Sequence, residues 1–186
     1  KAYVDSIRRG DEEIVSIHVR RGDNTDGTNE ELHLYGENGV FDESTLFGQY
    51  LTKALNHFSN GNYRFLVFTG GSRSGDDTED IEWIKKEFSS DQFVVSDSND
   101  PLVDFARIAC CDHNIISHIS TFGWWSAFVN KNKDKKVPLK FKGFSMLPES
   151  VQKKINPELA KKYEKGGVVR GMGKAYQGKP RPVKIR

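Results

Sequence analysis

Ile14-Val15-Ser16-Ile17-His18-Val19, running straight into Arg20-Arg21-Gly22-Asp23, is the stretch on which the fold turns. Its first six residues are apolar at most positions and rich in β-branched side chains. That pattern predicts a strand buried on both faces. The strand then stops in a charged loop containing a glycine. Open parallel sheets bind their ligands outside the carboxyl ends of their strands, so charge gathered there is a functional signal.

The same unit repeats downstream. Phe47, Leu51, Ala54, Leu55 and Phe58 fall at helical spacing, and Asn60-Gly61-Asn62 ends the run. Arg64-Phe65-Leu66-Val67-Phe68 predicts a second strand, with Thr69-Gly70-Gly71-Ser72-Arg73-Ser74-Gly75 as a loop at its carboxyl end. Asp76-Asp77 opens a helix whose inner face carries Ile81, Ile84 and Phe88. Acidic residues suit the positive end of a helix. Gln92-Phe93-Val94-Val95 predicts a third strand. Asp100-Pro101 is a cap residue followed by proline at the first helical position, and Leu102, Phe105, Ala106, Ala109 and Cys110 form the expected buried stripe. Asn114-Ile115-Ile116-Ser117 predicts a fourth strand, Ser120-Thr121 introduces an apolar helix over 122–129, and Lys136-Val137-Pro138-Leu139-Lys140-Phe141 is a possible fifth strand at an edge. Strands alternating with helices argue for an α/β fold with a parallel sheet covered on both faces.

The 186 residues, 36% hydrophobic and 29% charged, suit one soluble domain with a sizeable core. The first residue is Lys1 rather than Met, so the expectation is a piece of a longer protein. No apolar run approaches the length of a membrane span, and any anchor is expected outside this chain. The net charge of +2 conceals an asymmetry, because the segment from Lys161 to Arg186 is strongly basic and the rest is acidic. That tail is rich in glycine and proline and lacks aromatic interleaving, so it reads as solvated rather than as a nucleic-acid surface. Cys110 and Cys111 are adjacent and poorly placed to bridge each other, and no second cluster completes a zinc site.

Paired arginines at the end of a buried strand admit two readings. Each guanidinium offers a planar fork that matches phosphate oxygens. Equally, both could form ion pairs at the surface. Ser120-Thr121 also reads two ways: as hydroxyls and free N–H groups gripping an anion at a helix start, or as an ordinary N-cap. Neither a Gly-x-Gly-x-x-Gly after the first strand nor a P-loop signature is present.

Taken together, these motifs resemble a known family. His18-Val19-Arg20-Arg21-Gly22-Asp23 resembles the HxRRGD motif of the α-1,2-fucosyltransferases, glycosyltransferase family 11. Asp104-Phe105-Ala106, Cys111-Asp112-His113-Asn114 and Ser120-Thr121-Phe122-Gly123-Trp124-Trp125-Ser126-Ala127-Phe128 resemble the family's later block in the same order. Two separated motifs in register are far more specific than one. The resemblance covers roughly residues 12–142. The Trp124-Trp125-Ser126 run departs mildly from the family pattern, and the insertion between Asp23 and Phe47 is atypical.

The resemblance implies a Rossmann-like sheet with helices on both faces, one half of a GT-B type glycosyltransferase. It divides the chain into a GDP-fucose-binding domain over 1–143 and a basic extension over 144–186. Arg20 would contact the diphosphate and stabilise the charge on departing GDP. Arg21 would support the loop or add a phosphate contact, with Asp23 available to tie an arginine in place. His18 would approach the guanine or ribose, and Asp104 would accept from guanine N1–H and N2–H. Ser120 and Thr121 would bind phosphate, with Phe122 beside the nucleotide.

The implied reaction is inverting transfer of L-fucose from GDP-fucose to a glycan acceptor, a terminal galactoside. No metal and no cofactor are expected, because two arginines and a helix start can neutralise the leaving group. The acceptor half should lie upstream of Lys1, so the isolated chain is expected to be inactive. The parent would be a membrane-anchored protein of the Golgi lumen if animal and cytoplasmic if bacterial. The competing reading is a non-catalytic module that binds a nucleotide-sugar or glycan on the same fold. A third is an unrelated nucleotide-binding α/β protein.

Overall fold

The computed structural model describes residues 1–21, 39–70, 75–98, 100–117 and 120–138. The elements, in chain order, are α1 (Ala2–Ser6), β1 (Glu13–Val19), α2 (Leu46–Asn56), β2 (Tyr63–Thr69), α3 (Thr78–Glu87), β3 (Phe93–Val95), α4 (Pro101–Cys110), β4 (His113–Ile116) and α5 (Thr121–Val129). The strands form a four-stranded sheet in the order β3-β2-β1-β4, and every pairing is parallel. This is the expected α/β, Rossmann-like arrangement, consistent with half of a GT-B type glycosyltransferase.

The order has a functional consequence. The chain builds outward from β1 to β2 and β3, then returns to the other side of β1 for β4. Connections leaving β1 and β4 therefore diverge to opposite faces, and a crevice opens between their carboxyl ends. β1 is the central element: it pairs with β2 along its whole length and with β4 from Val15 to His18.

Side chains alternate between the two faces of each strand. Val15, Ile17, Val19, Phe65, Val67 and Ile115 point to one side, where α2 and α3 contribute Phe47, Leu51, Phe58, Ile84 and Phe88. Ile14, Leu66 and Phe68 point to the other, where they meet Val4 of α1, Ile108 of α4 and the ring of Phe122. Ile116, Ala127 and Val137 continue that second layer, with Trp124 packed against them. The helix starts follow their caps. Asp100 accepts from the Leu102 N–H at 2.8 Å, Thr45 from Gly48 at 3.1 Å and Ser120 from Gly123 at 3.2 Å.

Three expectations need correction. Helix α1 was not foreseen, since five residues carry too little periodicity to register. The buried stripe of α4 is also displaced: Leu102 is 80% exposed and Ala106 is exposed, while Asp104 and Ile108 face inward. The reason is that Asp104 has a buried hydrogen-bond partner, so a carboxylate occupies the inner face. Finally, Lys136, Val137 and Pro138 form no strand. The Lys136 N–H is taken by His113 Nδ1 at 3.0 Å, and Pro138 has no N–H to give. Leu139, Lys140, Phe141 and the whole extension over 144–186 lie outside the described residues, as do Asp23, the bulk of the insertion and 71–74 of the β2 loop. Among the described residues, no helix is long and apolar enough to cross a membrane.

Candidate functional site

A cavity of about 100 Å³ lies at the carboxyl edge of the sheet. β1 contributes His18 and, one residue past its end, Arg20; β2 contributes Phe68 and Thr69, followed by Gly70. The start of α3 adds Asp77 and Ile81. Ser98, Pro101 and Asp104 come from the loop after β3 and the first turn of α4, and Phe122 from the first turn of α5. Residues separated by a hundred positions in sequence thus line one cleft, over the carboxyl ends of β1 and β2.

His18 sits on the side of β1 that α5 covers. Its ring lies 5.4 Å from that of Phe122. Gly123 permits this approach, because a Cβ there would stand 2.8 Å from His18 Nδ1. The imidazole is only 4% exposed, and Nδ1 has no hydrogen-bond partner. Burial first, and the charge of Arg20 second, hold its pKa down at about 3. The ring is therefore neutral at any physiological pH.

Arg20 and Arg21 part company. Arg20 lines the cleft. Arg21 turns to α3, where it pairs with the buried carboxylate of Asp80 and lies 4.4 Å over the ring of Trp83. This pairing ties the residue just past β1 to α3. Asp80 was the missed partner; it sits in the first turn of a helix read only as having an acidic start.

Asp104 also lines the cleft, at 8% exposure. Its Oδ1 accepts from Ser96 Oγ at 2.8 Å. Desolvation pushes its pKa up to about 6, against the Ser96 hydrogen bond and the Arg107 charge, which pull it down. The cleft therefore holds the Arg20 guanidinium and two carboxylates, Asp77 and Asp104, of which burial makes Asp104 the easier to protonate.

Ser120 and Thr121 do not line this cavity as His18 and Phe122 do. Ser120 Oγ caps α5, and Thr121 is exposed in the first turn. The N-cap reading therefore describes Ser120, while Thr121 presents its hydroxyl at the helix start. Asp23 lies outside the described residues. Thr69, Asp77, Ser98 and Pro101 were not singled out from sequence. The rule that ligands bind at the carboxyl ends of parallel strands, applied to the end of β3, reaches Ser98 and Pro101.

The sequence model of glycosyl transferase family 11 matches residues 3–142. A curated relative, the O-antigen biosynthesis glycosyltransferase WbnK of Escherichia coli, is 29% identical over 126 residues, which is 64% of this chain and 35% of that protein. The chain thus spans about a third of the length of this relative. No solved structure matches significantly.

Proposed function

The chain belongs to glycosyltransferase family 11, and on that premise we propose that it is the donor-binding half of an inverting, metal-independent α-1,2-fucosyltransferase. It holds GDP-fucose while the sugar passes to a glycan hydroxyl, that of a terminal galactoside. The observation that carries this reading is the meeting of Arg20 and Asp104 in one cleft at the carboxyl ends of β1 and β2. A cation and a carboxylate so placed suit the two ends of a guanine nucleotide. The carboxylate accepts from the base, and the guanidinium takes the diphosphate.

The chemistry follows from the charges. In fucosyl transfer the bond between the anomeric carbon and the β-phosphate oxygen breaks, and negative charge builds on GDP. Arg20 keeps its positive charge at every relevant pH and donates hydrogen bonds in a planar fork. It would stabilise that charge most when it is largest, which lowers the barrier. No metal is required for this, and none is proposed. His18, held neutral, adds no second cation and leaves a hydrogen-bonding ring beside the ribose or base. Phe122 supplies an apolar wall. Arg21, tied to Asp80, keeps the loop carrying Arg20 in register. The Escherichia coli relative acts in O-antigen biosynthesis by name, which supports a glycan as acceptor. The residues that bind the acceptor and deprotonate its hydroxyl are proposed to lie on another part of the parent protein, so this chain alone transfers no fucose.

Calorimetric titration with GDP in the presence of a chelator tests the reading. GDP is expected to bind without metal and ADP to bind much more weakly. Arg20→Ala should cost about 1.5–3 kcal/mol, the range for a charge-assisted hydrogen bond. A folded chain that binds neither nucleotide would favour the non-catalytic module instead.

A further inference from the structure

Behind Asp104 stands a chain of contacts that the family motifs do not include. We propose that Ser96 and Arg107 are positioning residues that orient Asp104 toward a base edge carrying two adjacent N–H donors, so that the cleft selects guanine over adenine nucleotides. This rests on the donor-site reading above.

The geometry runs in one direction. The Arg107 guanidinium lies 3.5 Å over the ring of Tyr3 on α1. It donates to Asp97 Oδ1 at 2.6 Å and to Ser96 Oγ at 2.9 Å. A serine hydroxyl has one proton. With Arg107 occupying the acceptor side of Ser96, that proton is committed to Asp104 Oδ1, at 2.8 Å. The carboxylate is thereby pinned at the cleft wall by residues of β3's carboxyl end, α4 and α1 together. Helix α1, which buries Val4 in the core, is also the platform for Arg107 through Tyr3.

The chain of contacts also sets the charge of Asp104. Arg107 and Asp100 face it from its own helix and Asp97 from the loop after β3. His18, Arg20 and Asp77 share its cleft. Burial favours its protonated form, while Ser96 and Arg107 favour the anion. Guanine presents N–H donors at N1 and N2 and pairs best with the anion. Adenine presents an acceptor at N1 and is rejected by it. Removing Ser96 or Arg107 should therefore leave a protonated, misaligned carboxyl at neutral pH.

The test has two readouts on the chain. NMR titration of the Asp104 carboxyl without nucleotide reports the contacts directly. Calorimetry with GDP and with ADP, from about pH 6 to about pH 9, reports their consequence. In Ser96→Ala the carboxyl midpoint should rise from about 6 to above neutrality. GDP affinity should fall roughly tenfold at pH 7 and return under alkaline conditions, so that the preference for GDP over ADP narrows at pH 7. Ser96→Thr should restore both, and Arg107→Gln provides a second variant should Ser96→Ala fold poorly. A midpoint unmoved in both variants, with GDP still preferred by the parent chain, would overturn the positioning role and leave the donor site standing. A midpoint that moves in a chain that does not prefer GDP to ADP would overturn the donor-site reading, and the selectivity with it.

Discussion

The two ends of the sheet are built from the same residue types and put to opposite uses. At the amino end, polar groups satisfy one another. Arg64, 3% exposed, donates to Glu12 Oε2 at 2.7 Å and to the Asp91 carbonyl at 3.0 Å. Arg8 pairs with Asp112 at 2.8 Å, and the same carboxylate accepts the Ile14 N–H at 2.7 Å. Deeper in, Asn114 Nδ2 donates to Ser16 Oγ and the Ile108 carbonyl, and Asn130 closes the network on Asn114 Oδ1. At the carboxyl end, His18 Nδ1, Thr69 Oγ1, Ser117 Oγ and Arg21 Nε are buried without hydrogen-bond partners. Leaving a buried polar atom unmet costs about 1–3 kcal/mol. Among the described residues the orphaned atoms gather at the carboxyl end, and two of their residues, His18 and Thr69, line the cleft.

The contrast can be broken most sharply at the amino end. Arg64→Ala leaves Glu12 and the Asp91 carbonyl without their shared cation. Breaking a buried pair costs roughly 3–5 kcal/mol, and the lower figure is expected because Glu12 reaches water. Chemical denaturation measures it, and a loss under about 1 kcal/mol would mean that the amino rim is not the stabilising one.

The carboxyl end should respond with the opposite sign. Asp104 has its folded pKa raised to about 6, so the folded chain binds its proton more tightly than the unfolded chain. Its contribution is therefore lost as pH rises from the ordinary carboxylate range through about 6. Asp104→Asn should stabilise the chain at pH 7 by on the order of 1 kcal/mol while weakening GDP binding. His18 titrates the other way. Its folded pKa of about 3 lies below the unfolded value of 6.5, so stability falls as pH drops through that window. Denaturation curves of Asp104→Asn against pH should lose the decline between the ordinary carboxylate range and about 6 while keeping the acid-side decline that His18 shares with Glu12, Asp76 and Asp91; a variant that keeps the parent's profile would sink the Asp104 assignment.

The smallest effect on stability is expected at Arg20. Arg20→Ala should change the unfolding free energy by about 1 kcal/mol or less, because Arg20 is only half-buried, although it is the substitution expected to cost GDP most. A loss of stability comparable to that of Arg64→Ala would mean that Arg20 is structural and the two rims do not differ in kind.

Much of this was legible beforehand, for identifiable reasons. β1, β2 and β4 are short apolar runs between turn signals, and Asp100-Pro101 and Ser120-Thr121 are local cap chemistry that needs no distant partner. Arg20, His18, Asp104 and Phe122 were reached through motif order, and they do meet in one cleft. What could not be read depends on pairs far apart in the chain. Nothing near Arg21 points to Asp80, and nothing near Arg107 points to Tyr3. The stripe of α4 was misplaced because helical periodicity assumes that a carboxylate faces water, and Asp104 does not.

The sequence by itself determined the class of fold, the order of the elements and which strand ends carry charge, because periodicity, caps and turns act over a few residues. Only the tertiary structure decided that Arg20 enters the cleft while Arg21 is anchored to α3, and that Asp104 is buried. Those outcomes depend on which side of β1 each residue faces and on what the crossovers bring against it, which is settled by packing across the whole sheet.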